Sequence, residues 1–337
     1  MQVMTVRGAI PAGQAGTILV HEHLVMNTTR VLDATHGYAA SDQVRGVPVP
    51  AEARWNPGAF RDNYDLSDPE LAIEELNLLR GRIDTIVDCT SSDIGRDPVA
   101  LRTISESTGV QVVMGGGWYL AGVRDPALRS ASVSDLARVL IGEFKTGVGG
   151  SGVRPGVIGE LGTSDPLQPP EESALRAAAI ACNETGLAVT MHVNPWGKEG
   201  TRVLEILANA DMPMGKVILN HMSTAFDDIE YQDQLLVSGC YLAFDLFGFD
   251  HSLLTTGRYA PSDYDVAVNI ARLASAGFVN RVLISHDIGV RTHLKAYDGW
   301  GCSHISDHVV PMLQTLGLTD QDLRMLLVTN PTDVFSF

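Results

Sequence analysis

His21-Glu22-His23 stands near the start of the chain, and four more residues of ligand type follow at wide intervals: Glu160, His192, His221 and Asp287. Imidazole nitrogens and carboxylate oxygens suit zinc and other first-row divalent ions. In a β-strand, residues i and i+2 face the same side, so both imidazoles of the HxH triplet can enter one site while Glu22 points away. Four imidazoles and two carboxylates exceed the needs of one tetrahedral ion. They suit two ions roughly 3.5–4 Å apart, joined by a carboxylate and a hydroxide drawn from water. Such a pair makes a nucleophile near neutral pH. Asp287 would bind one ion and accept the nucleophile's proton.

Short apolar runs carry these residues. TILVHEHL (17–24), DTIVDCTS (84–91), QVVMGGGWY (111–119), PGVIGELG (155–162), LAVTMHVN (187–194), KVILNHMS (216–223), CYLAFDLFG (240–248) and RVLISHDIG (281–289) read as strands. Near-continuous Val, Ile and Leu fit parallel strands buried on both faces. Helical periodicity fills the intervals, over 69–81, 98–108, 133–145, 171–185, 199–209, 227–238 and 263–276. Asp68-Pro69 and Asp97-Pro98 mark starts, and Gly109, Gly186, Gly239 and Gly277 mark ends. Helical segments 306–316 and 319–328 close the chain. Eightfold strand–helix alternation predicts an α/β fold, a (β/α)₈ TIM barrel with a long first βα loop over 25–66 and C-terminal helices. A doubly wound sheet would bring a glycine-rich phosphate turn after its first strand, where HEHL stands instead. The chain shows no linker or repeat, so residues 1–337 read as one domain. In a barrel the strand C-termini form one rim. The six ligand-type residues, each at a predicted strand end, therefore converge there. A buried cluster of that kind without a metal would be costly.

The chain has 337 residues, 45% hydrophobic and 19% charged, with a formal net charge of −16. That is enough apolar material for a large core, and the acidity disfavours nucleic acid and anionic lipid as partners. The four cysteines are widely spaced, which suits reduced thiols in a cytoplasmic protein. No signal peptide and no run of about eighteen apolar residues is visible, so a membrane span is not expected.

The ordered set HEHL, GVIGELG, MHVN, NHMS and SHDIG resembles the phosphotriesterase-like branch of the amidohydrolase superfamily, down to a closing Asn330-Pro331. The resemblance implies a binuclear hydrolase with His21, His23 and Asp287 on one ion, His192 and His221 on the other, and a bridge from the fourth strand. Many members bridge with a carboxylated lysine. Here Lys145, Lys198, Lys216 and Lys295 all lie elsewhere, and Glu160 holds the place, as in the phosphotriesterase-related subgroup. The organophosphate enzymes' proton relay would need other residues where Leu246 and Thr224 stand, which argues against efficient phosphotriester hydrolysis. Tyr119 matches a lactonase tyrosine near the bridging hydroxide. The resemblance also suggests a homodimer.

These readings predict a hydrolase of a small ester, lactone or amide, with two divalent ions, zinc first and manganese or cobalt next. Three alternatives stand beside it. One is phosphotriester hydrolysis. Another is a mononuclear deaminase, which would need a glutamate where Pro195 stands. The third is a non-catalytic small-molecule-binding protein on the same fold. Tyr119, Arg291 and His304 are candidate substrate contacts, with His293 and Lys295 on the same strand-8 loop, which could line the site with donors for an anionic group. Arg30, Arg45, Arg54 and Arg61 in the first loop could do the same. His36, His251 and His308 read as structural or exposed. His286 and Ser285 read as supports at best.

Overall fold

The computed structural model describes residues 1–31, 53, 55–79, 81–250, 252 and 258–337. Eight parallel strands form one sheet in sequence order: β3 (Ile18–Glu22), β4 (Thr85–Asp88), β5 (Gln111–Gly116), β6 (Val157–Thr163), β7 (Val189–Val193), β8 (Val217–Leu219), β9 (Tyr241–Phe244) and β10 (Val282–Ile284). Seven fall inside the predicted runs and β6 overshoots its run by one residue, Thr163, and the sheet curls into a nearly closed barrel. Before it comes a hairpin that the sequence reading missed, β1 (Gln2–Thr5) and β2 (Gly8–Pro11), paired from Gln2–Pro11 to Thr5–Gly8. Gln2 exchanges both backbone hydrogen bonds with Phe337, so the hairpin and the chain's last residue lie together.

Helices wrap the strands: α1 (Pro69–Asn77), α2 (Pro98–Thr108), α3 (Val133–Thr146), α4 (Pro169–Thr185), α5 (Gly200–Ala208), α6 (Ile229–Val237) and α7 (Asp263–Ser275). Asp68 and Asp97 cap α1 and α2 ahead of their first-turn prolines, and Gly109 and Gly186 end α2 and α4 in the left-handed region. The C-terminal segments run through Ile305–Val309 and Met325–Thr329 as π-helical turns. Much of the long first loop, including Arg45, Arg54 and His36, lies outside the described residues, as does His251. Among the described residues no helix is long and apolar enough to cross a membrane.

Side chains alternate across the sheet. Ile18, Val20, Val87, Val113, Val157, Ile218, Ala243 and Leu283 fill the barrel interior, while Leu19, Ile86, Val112, Ile158, Val189, Leu219 and Ile284 face the helices. Strict alternation would send His21 outward with Leu19. The register prevents it. Leu19 pairs with Ile86 and Glu22 with Asp88, so three steps on β3 span two on β4. That bulge re-aims His21 and His23 inward. β6 shows the same shift, with Ile158 opposite Val189 and Leu161 opposite Met191, and turns Glu160 inward.

Candidate metal centre

The six ligand-type residues meet at the C-terminal rim. His23 Nε2 lies 3.1 Å from Asp287 Oδ1, and His21 Nε2 lies 3.6 Å from the same oxygen. His21 Nε2 is also 3.5 Å from Glu160 Oε1, and His221 Nε2 is 3.0 Å from it. Two groups able to hold an ion follow, His21–His23–Asp287 and His21–Glu160–His221, with all ligand atoms of each group within 4.8 Å of one another. His21 belongs to both. His192 completes the ring of side chains. Its Nδ1 is 2.8 Å from His221 Nε2 and 3.7 Å from Glu160 Oε1.

Neighbours fix how the rings face. His21 Nδ1 is hydrogen-bonded to Asp245 Oδ2 at 2.7 Å and His23 Nδ1 to Thr90 Oγ1 at 2.9 Å, which leaves each Nε2 toward the site. Asp245 Oδ1 accepts the His221 backbone N–H at 2.8 Å. Asn220 donates to Glu160 Oε1 at 3.2 Å and accepts from Thr190 Oγ1. His221 and Asp287 hold φ of 64° and 54°, a left-handed backbone that non-glycine residues keep only when their surroundings impose it. His21 Nε2 and His221 Nδ1 are buried with no hydrogen-bond partner among the described residues. Orphaned imidazole nitrogens beside carboxylate oxygens, with opposite ring nitrogens already engaged, are the donor arrangement a divalent ion fits.

The electrostatics of the metal-free cluster agree. Burial resists charge on His21, but Glu160, Asp287 and Asp245 override it and raise the imidazole to about 9. His221 is pushed well up by Asp245 and Glu160 against the same burial. His192 is driven down to about 3 by burial and by its neighbour His221. Burial would raise the carboxyls of Glu160 and Asp245, yet the facing histidines hold both well below the usual range. Glu160, Asp245 and Asp287 thus favour positive charge at His21, and Asp245 and Glu160 favour it at His221.

Tyr119 joins the cluster, its hydroxyl 3.1 Å from His192 Nδ1. The other proposed substrate contacts are engaged elsewhere. Arg291 donates Nε–H to the Asp65 carbonyl at 2.6 Å, stitching the loop after β10 to the end of the first loop. His304 pairs with Asp263 at 2.5 Å, and Asp263 also accepts Gly248 N–H. His293 is buried edge-on against Phe249, and burial together with His286 lowers it to about 4, so it is neutral. Leu246 packs with Phe249 and Ala260, and Thr224 hydroxyl donates to the carbonyls of His221 and Pro195. Neither place offers a proton-relaying carboxylate or imidazole.

Sequence reasoning missed Asp245, Thr90 and Asn220. Asp245 could have been found, because it ends the strand YLAFD on the same rim as the others. Thr90 and Asn220 carry no signal separable from ordinary polar strand ends.

Comparison with known proteins places the chain in one family. The phosphotriesterase family profile matches residues 1–335. A Xenopus tropicalis protein named N-acetyltaurine hydrolase is 31% identical over 343 residues, covering 100% of this chain and 98% of that protein. A resiniferatoxin-binding protein from Rhodobacter sphaeroides superposes with a TM-score of 0.90 at 36% identity, covering 99% of this chain and 95% of that one. A variant of a phosphotriesterase-like lactonase from Deinococcus radiodurans gives 0.79 at 27% identity, covering 99% and 100%.

Proposed function

Since the chain belongs to the phosphotriesterase family and is a metal-dependent hydrolase, we propose that it cleaves a small carboxylic amide, ester or lactone at a two-ion centre on the barrel rim. The observation that carries this reading is the pair of ligand groups joined at His21. His21, His23 and Asp287 would hold one ion and His192 and His221 the other, with Glu160 between them. Zinc suits this nitrogen–oxygen set best, and manganese or cobalt also fit. Ions held there supply Lewis acidity, which acidifies water and polarises a scissile carbonyl.

The chain's own residues do the rest. Asp287 is the most exposed carboxylate of the cluster, with 20% of its side chain open, against 2% for Glu160. It takes the proton of the attacking water and hands it to the leaving nitrogen or oxygen as the carbonyl carbon–heteroatom bond breaks. The products are a carboxylate and an amine or alcohol. Burial, reinforced by Glu160 and Asp287, holds the Tyr119 phenol well above its ordinary pKa, so it stays protonated. It donates a hydrogen bond to the developing oxyanion.

Leu246 and Thr224 favour carbonyl over phosphotriester substrates, and the activity in the frog relative's name supports an amide. A zinc-loaded sample assayed against N-acyl amino sulfonates, N-acyl amino acids, lactones and paraoxon tests the reading. Turnover of at least one carbonyl class, far above paraoxon, is expected. Paraoxon as the best substrate, or no hydrolysis of any carbonyl class, would overturn it.

A further inference from the structure

Glu22 ends β3, between His21 on the strand and His23 just after it, fully buried and lining a small cavity with Leu71, Ala72 and Glu75 of α1. A leucine there would suit the apolar layer around it. A carboxylate without water is costly unless donors satisfy it. Glu22 has four: Ser285 hydroxyl at 2.9 Å, His286 N–H at 3.0 Å, His286 Nδ1 at 2.6 Å and Ile288 N–H at 3.0 Å.

All four come from the segment that carries Asp287. The backbone amides of residues 286, 287 and 288 point in succession at Glu22 Oε1, the His21 carbonyl and Glu22 Oε2. Ser285 Oγ also accepts the His21 backbone N–H at 3.0 Å. The amides of His286 and Ile288 clasp the two carboxylate oxygens while the Asp287 amide between them holds the His21 carbonyl, and these bonds brace the left-handed turn at Asp287. The barrel seam is here as well. Neighbouring strands from β3 through to β10 share hydrogen-bonded ladders, but no ladder among the described residues joins β10 back to β3. The Asp287 N–H to His21 carbonyl bond and the Glu22 and Ser285 side chains close that gap. His286 extends the tie outward, since its Nε2 accepts the Ile305 N–H at the start of the C-terminal helical segments.

We propose that Glu22 is a positioning residue that bolts β3 to the β10 exit turn and thereby sets His21 and His23 against Asp287. The inference rests on the metal-centre reading above. Glu22→Gln keeps the shape, but its amide NH₂ faces the Ile288 N–H, donor against donor.

The test uses the full chain, stripped with a chelator and titrated with Co(II), read by visible absorption and chelator competition beside circular dichroism. Folded Glu22→Gln is expected to bind Co(II) at least about tenfold more weakly, as lost outer partners of metal ligands typically cost, with a shifted absorption band. A merely structural role would lower Tm and leave affinity and band unchanged, which would overturn the proposal. Should Glu22→Gln not fold, Ser285→Ala removes only the hydroxyl shared by His21 N–H and Glu22. A weaker affinity with a shifted band supports the bolt, and an unchanged affinity and band overturns it. Wild-type protein that takes up no Co(II) would overturn the metal-centre reading itself, together with the bolt.

Discussion

Asp245 Oδ2 lies 2.7 Å from His21 Nδ1 while its Oδ1 accepts the His221 backbone N–H at 2.8 Å. One buried carboxylate thus orients the histidine common to both ligand groups and the backbone of a second. Replacing Asp245 with Asn turns one oxygen into an NH₂ that must face a donor. Metal affinity should fall about 10- to 100-fold, measured by chelator competition on folded protein. Unchanged affinity would remove Asp245 from the account.

Metal uptake should depend on pH through His21. Its folded-state pKa of about 9 lies above the ordinary 6.5, so its protonation stabilises the metal-free fold. That contribution is fully present below about pH 6.5 and is lost as pH rises through about 9. Chelator-stripped protein should therefore melt at a lower temperature at pH 9 than at 6.5. Metal binding should release protons between those limits. Calorimetry in buffers of different ionisation heat checks the release, and proton-neutral uptake at pH 7.5 would contradict it.

Tyr119→Phe should slow hydrolysis of a carbonyl substrate about 100-fold, the usual scale for losing an oxyanion donor, with metal content unchanged. A fall in metal content would show instead that the phenol serves His192 as a structural partner.

Gly162 lies two residues past Glu160, and a Cβ there would meet Leu120 N at 2.3 Å and the Tyr119 carbonyl carbon at 2.5 Å. Gly162→Ala must push the Tyr119 loop away from β6. We expect a loss of about 1–3 kcal/mol in stability and a rate like that of Tyr119→Phe. Denaturant unfolding and steady-state kinetics on one preparation decide it, and a variant of wild-type rate would show that the loop need not touch β6.

The barrel was legible because parallel strands buried on both faces must be near-continuous apolar runs, and its rim because ligand residues end those runs. The β1–β2 hairpin was not, since ten terminal residues around Arg7-Gly8 lack that density. The faces of His21 and Glu160 depend on bulges in β3 and β6, which arise from pairing with neighbours and leave no mark in either strand's own pattern. From sequence, Arg291 on the loop after the eighth strand and His304 in the later YDGWGCSH stretch read as candidate substrate contacts. Their partners, Asp65 and Asp263, lie 226 and 41 residues away in the chain, a pairing only the fold creates. Glu22 was correctly set apart from its flanking histidines, but its partners 263–266 residues on were out of reach.

Elemental analysis of the purified protein, beside a chelator-stripped sample reloaded with zinc and a Glu160→Ala variant, decides whether the rim holds two ions. Wild-type protein should carry about two divalent ions per chain, as a binuclear hydrolase requires, and the variant should lose at least one along with nearly all activity. Folded wild-type protein that neither carries nor takes up metal, or a variant with full metal content and rate, would contradict it.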